Sequence, residues 1–243
     1  MKIDFLDSII PDEKRPRSRA AFAYIQELIH RIRTLRPDAL IEFRQHYATP
    51  VTAGLATAFR AGDVPFDYVE NFQRCVQLRL LLGDGVPVQA DPVYFRRDET
   101  PVNVARHMMA AMAGVPMLSL ELRTLSAMHR RIIANYLALY HRRRSILNFG
   151  RWEFHFRFGH AVWARCCGEH GMVLFLWAVE YLTGALTGAP AAVTVLNLSS
   201  DPLACPGMAA FDPAGEPAGS TAPPGGRLET TAREIISGTP VRN

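Results

Sequence analysis

Two stretches of this 243-residue chain hold acidic residues beside basic ones at short, regular spacing. In KIDFLD, Asp4 follows Lys2 by two residues; in FRAGDVPFD, Asp63 follows Arg60 by three. Residues two apart on a strand share a face, so Lys2 and Asp4 would point the same way. The residues alone leave two accounts of the aspartates open. Either the fold brings them together as a reactive carboxylate pair, or they are turn and cap residues, since Gly-Asp and Pro beside an apolar segment commonly open a helix. Asp67, four residues before Asn71, reads as a first-turn residue favoured by the helix dipole. Asp91, after VPVQA, either meets a ligand at a strand end or makes a turn before Pro92. Glu42 and Arg44 share one face of their strand and form a candidate internal pair. His46 and Cys75 lack the partner spacing of a metal site or a thiol nucleophile, and no metal or cofactor is implied.

These residues need elements to aim them. KIDFL reads as a buried strand, and SRAAFAYIQELIHRIRTLR as a helix with Phe22, Ile25, Ile29 and Ile32 at helical spacing, ended by Pro37. ALIEFRQHY is a second strand, and TAGLATAFRAG leads through a third to the loop of Asp63. A helix over 66–82 sets Val69, Phe72, Val76 and Leu80 on one face and stops at GDG. VPVQADPVYF and VPMLSLELRTL are the fourth and fifth strands, around a helix with Pro101 early and Gly114 beyond its end. A long helix covers about 126–147. Such alternation predicts a parallel sheet with helical crossovers and a site at the C-terminal ends of its strands.

After Gly150 the texture changes to RWEFHFRF, AVWARCC, MVLFLWAVEYL and AAVTVLNLSS, which read as strands of a small antiparallel β-sandwich over 150–212. The Pro-, Gly- and Ala-rich stretch from Pro213 reads as a disordered tail over 213–243.

Composition bounds the function. Hydrophobic residues at 49% and charged residues at 21% are those of a globular protein. The net charge of +4 comes from scattered arginines and the run Arg142-Arg143-Arg144 near a helix end. Cations suit that end of a helix dipole, and no interleaved aromatics accompany them, so nucleic acid is not an expected partner. Four cysteines without CxxC spacing read as free thiols in a reducing compartment. With no secretory leader and no membrane-length apolar run, the expected location is the cytoplasm.

With the strands in place, the chain resembles the melibiase-type α-galactosidases, a family of glycoside hydrolases. KIDFLD is similar to that family's nucleophile strand with its Lys-x-Asp signature, and FRAGDVPFDYVEN to its acid/base loop with an Arg-x-x-Asp signature. IEFRQHYATP, LRLLLGDGVPVQADPVYF and GVPMLSLEL resemble further segments of one bacterial branch, in order, over roughly 1–147. The resemblance implies part of a (β/α)8 barrel over 1–149, its strands four to eight, followed by the β-domain. It implies retaining hydrolysis of a terminal α-linked galactose or related α-glycoside, with Asp4 as nucleophile and Asp63 as acid/base. Lys2, Arg60, Glu42 and Arg44 would contact substrate. It also implies a small carbohydrate as the partner, and a homo-oligomer or a separately supplied N-terminal half to complete the barrel. A catalytically silent fragment, or a partner-dependent subunit with an assembly role, is the alternative.

Overall fold

A computed structural model describes residues 2–3 and 16–230. Asp4, the expected nucleophile, lies outside the described residues, as do 231–243.

The N-terminal part is a four-stranded parallel sheet in sequence order: β1 (Lys2–Ile3), β2 (Glu42–Arg44), β3 (Ala58–Arg60) and β4 (Val88–Gln89). Its register aligns Ile3 with Phe43, Phe43 with Phe59, and Phe59 with Val88. All four are buried, and the rings of Phe43 and Phe59 meet edge to face at 5.7 Å. Side chains alternate along a strand, so Lys2, Glu42, Arg44, Arg60 and Gln89 fall on the opposite face. The segment 115–118, expected as a fifth strand, continues the parallel order through two isolated bridges, Gln89 to Val115 and Val93 to Leu118. Gly114 makes the approach possible: a Cβ there would lie 2.6 Å from the backbone nitrogen of Ala90.

Helices α1 (Arg17–Leu35), α2 (Tyr68–Leu82), α3 (Pro101–Ala111) and α4 (Ala127–Phe149) surround this sheet. Three begin on a side-chain cap that satisfies an amide otherwise left without an intrahelical partner. Asp67 accepts from Glu70 N, Thr100 from Asn103 N and Ser126 from His129 N. Asp67 is therefore a cap residue. The buried stripe of α2 is Phe72, Cys75, Val76 and Arg79, while Val69 and Leu80, expected on it, are exposed. The stripe rotates because α2 also packs on the second sheet, where the Arg79 guanidinium lies 4.1 Å from the centre of the Trp152 ring.

That second sheet corrects two expectations. Its strands β5 (Arg151–Arg157), β6 (His160–Gly168), β7 (Gly171–Leu176), β8 (Val193–Asn197), β9 (Met208–Phe211) and β10 (Arg227–Thr230) form one six-stranded sheet in the order β5-β6-β7-β8-β10-β9. The described strands are thus not an all-antiparallel sandwich. β7 and β8 run parallel, joined by a crossover that includes the short helix α5 (Leu182–Ala185). Every residue of β7 is buried, as a strand covered on both faces requires. One face joins a core that runs from Phe43 and Phe59 through the helices to Trp152 and Phe175; the other carries a smaller cluster around Leu174, Val195 and Leu228.

Residues 213–230, expected as tail, are built into this sheet. β10 pairs with both β8 and β9, and Leu228 is fully buried. The Pro- and Gly-rich composition makes turns here, as at Gly225, whose φ of 75° suits glycine and whose carbonyl accepts from the Tyr136 hydroxyl at 2.5 Å.

Candidate functional site

The polar face of the parallel sheet gathers three carboxylates around two guanidiniums. Arg60 ends β3 with Phe59 anchored in the core, so its side chain must cross to the other face. Its Nη1 donates to Asp91 Oδ1 at 2.7 Å and to Asp63 Oδ1 at 3.2 Å, and its Nε faces Glu42 Oε1 at 3.3 Å. Arg44, aligned with Arg60 in the neighbouring strand, reaches Asp63 Oδ2 at 2.5 Å. Asp63 and Asp91 therefore share one guanidinium nitrogen.

The loops that carry these carboxylates are pinned to each other. Asp91 Oδ2 accepts the Val64 amide at 2.9 Å, and Asn71 closes a reciprocal pair with the Asp91 backbone, donating to its carbonyl at 2.9 Å and accepting its amide at 3.0 Å. Gln45 accepts the Gly62 amide at 2.8 Å, and Arg74 donates to the Asp63 carbonyl.

Burial separates the two aspartates. The Asp91 side chain is 6% exposed and that of Asp63 63% exposed. For Asp63, partial burial raises the carboxyl, but the hydrogen bond and charge of Arg44 together with Arg60 outweigh it and hold the group below the ordinary carboxylate range. For Asp91, burial pushes the carboxyl above that range, opposed by the Val64 amide and Arg60 and reinforced by the negative charge of Asp63. Two carboxylates of one cluster are thus driven in opposite directions by their surroundings.

Of the expected site residues, the structure brings together Arg60, Arg44, Glu42 and Asp63. Lys2 aligns with Glu42 on the same face, where both line a cavity of about 320 Å³ with Ile41, Ala58 and Gln89. That cavity lies toward the strands' N-terminal ends, away from Asp63. Asp91 is the deepest carboxylate of the cluster, which its position before a proline did not distinguish from a turn. The register is the signal that finds it, because Gln89 aligns with Arg60 and Asp91 is the next residue on that face. Among the described residues, no three His, Cys, Asp or Glu side chains gather as a metal site would require. None of the described helices is long and apolar enough to cross a membrane.

Fold and site together define a mixed α/β protein with an arginine–carboxylate cluster at the C-terminal ends of a parallel sheet. No protein-family model matches the chain, and no curated protein does. Among solved structures, it is similar to the GH36 α-galactosidase AgaA from Geobacillus stearothermophilus in complex with 1-deoxygalactonojirimycin, with a TM-score of 0.49 and 14% sequence identity, covering 68% of this chain and 24% of that one. A second form of AgaA, in complex with raffinose, gives a TM-score of 0.49 and 15% identity over the same shares. The likeness is weak, and the chain spans about a quarter of the length of these structures.

Proposed function

We propose that this chain belongs to a retaining α-glycoside hydrolase of α-galactosidase type, with Asp4 as nucleophile and Asp63 as acid/base on a small carbohydrate bearing a terminal α-linked galactose. The observation that carries the reading is the position of Asp63. It is the exposed end of an otherwise buried ion-pair cluster, at the end of a parallel sheet where α/β folds hold their ligands. Its neighbours in the cluster, Arg44 and Arg60, with Glu42 paired to Arg60, supply the charged donors and acceptors that a sugar's hydroxyls need, and Lys2 adds a cation farther along the same face.

In the first step, the Asp4 carboxylate attacks the anomeric carbon while Asp63 gives its proton to the leaving glycosidic oxygen, and the bond between them breaks. In the second step, Asp63 takes a proton from water, whose oxygen displaces Asp4 from the glycosyl-enzyme. The arginines favour the ionised Asp63 that the second step needs. The first step requires substrate to displace Arg44, which releases the carboxylate to hold a proton and frees the guanidinium for a sugar hydroxyl. On this reading, further strands from another copy or a separate segment pair along the edges of the parallel sheet to close a barrel around its polar face.

Hydrolysis of an aryl α-galactoside by the purified chain, beside Asp4→Asn and Asp63→Asn, tests the reading. Turnover that both substitutions abolish is the expected result. Turnover that either variant retains in full overturns the assignment. A catalytically silent or partner-dependent subunit is the second reading, favoured by the same double-arginine contact that keeps Asp63 ionised. It expects a folded chain without turnover.

A further inference from the structure

The loop after Asp63 holds a bulky residue where the backbone asks for glycine. Val64, Pro65, Phe66 and Asp67 form a turn closed by the Asp67 amide on the Val64 carbonyl at 3.2 Å. Proline at its second position and a φ of 67° at Phe66, its third, make it a type II turn, whose third residue is normally glycine. A phenylalanine there carries backbone strain. Among the described residues, the other non-glycine with positive φ is Phe158, in the two-residue hairpin joining β5 and β6, where that conformation is standard. The turn at Phe66 joins no paired strands and leads instead into α2.

Nor does burial offset the strain. The residue is 52% exposed and joins neither core cluster. Its ring meets Tyr94, itself 43% exposed, with centroids 4.8 Å apart and planes at 71°. Both residues are three positions beyond a carboxylate of the cluster, Phe66 after Asp63 and Tyr94 after Asp91. The Val64 amide on Asp91 Oδ2 ties the Phe66 turn to the strand end from which Tyr94 follows. The pair is therefore an exposed aromatic ledge beside the loops that carry Asp63 and Asp91.

We propose that Phe66 and Tyr94 form the platform for the leaving group of the substrate, stacking against the C–H face of the sugar that departs from galactose. This rests on the hydrolase reading above for the identity of the ligand. A pyranose offers polarised C–H groups on one side and hydroxyls at its rim. An aromatic face, negative at its centre, suits the first, and the Tyr94 hydroxyl suits the second. The strained turn holds the Phe66 ring outward, where a relaxed glycine would present no surface.

The test uses melibiose, galactose joined to glucose, and α-galactosyl fluoride, whose leaving group is one atom. Phe66→Gly keeps the turn without strain, and Tyr94→Ala removes the second ring. Each variant is expected to lower kcat/KM for melibiose ~10-fold, and to change α-galactosyl fluoride less than about two-fold. In saturation-transfer NMR, the glucose protons of melibiose should receive saturation from the unsubstituted chain and lose it in both variants. Equal effects on both substrates, no effect on either, or no transfer to glucose in the unsubstituted chain overturns the platform. So does a change confined to self-association. If the fluoride is not hydrolysed yet glucose transfer is present and is lost in the variants, the hydrolase reading fails and the platform stands.

Discussion

The two sheets divide the work of the molecule by what each does with its second face. The parallel sheet has strands of two or three residues, one apolar face in the core, and an opposite face of ionisable side chains. The mixed sheet has strands of up to nine residues, and its central β7 is buried on both sides. Charged groups taken from water must be paired, so the first sheet depends on geometry where the second depends on packing. A region that keeps buried charges in register stays sensitive to the loss of one atom, and it is there that the candidate chemistry lies.

The sharpest break of this contrast is Arg60→Ala. It leaves Asp91 buried without its cation and is expected to cost about 3–5 kcal/mol, read by urea unfolding. Arg60→Met combined with Asp91→Asn should recover most of that loss, because position 91 then carries no buried charge. Recovery of less than half would show that Arg60 acts mainly through packing.

In the other region, Leu228→Ala should cost about 2–4 kcal/mol, since it opens a cavity between β8 and β9. A loss below ~0.5 kcal/mol would mean that β10 contributes little and that 213–230 behaves as a tail.

The smallest effect is that of pH. The folded Asp63 carboxyl lies below its unfolded value, so its contribution is present above the unfolded pKa and lost as pH falls through the folded one. Asp91 lies above its unfolded value, so its carboxylate costs stability at neutral pH, and that cost is relieved as pH falls below the folded pKa. Asp63→Asn should therefore flatten the acid-side loss by less than about 1 kcal/mol, given its exposure, whereas Asp91→Asn should remove an opposite slope. The same slope in both variants would assign the pH dependence to other carboxylates.

Local signals were legible where a residue's chemistry acts on its own neighbours. Pro101 opened α3, the GDG run closed α2, and the alternation of short strands and helices implied the parallel order. The facing of Glu42 and Arg44 followed from period two alone. What the chain did not disclose depended on distant partners. Val69 and Leu80 fit a helical stripe, but two sheets compete for α2 and rotate the buried stripe toward Arg79. The turn-rich run before β10 has the composition of a disordered segment, and only the slot between β8 and β9 gives it a structure. Asp91 reads equally as a strand-end ligand contact or a turn residue until its register beside Arg60 is known. The positive φ of Phe66 left no trace in sequence, since Pro65 signals a turn without saying which residue bears its strain.

The insertion of β10 between β8 and β9 also sets an order in time. During synthesis β9 emerges while its partner strand does not yet exist, and the edge of β8 is equally bare. At ribosomal speed the wait is about 1–3 s, long against the microseconds in which a hairpin forms. For that interval the nascent protein carries an open sheet edge at β8 and an unpaired strand at β9, the state in which neighbouring copies on one message most readily pair with each other.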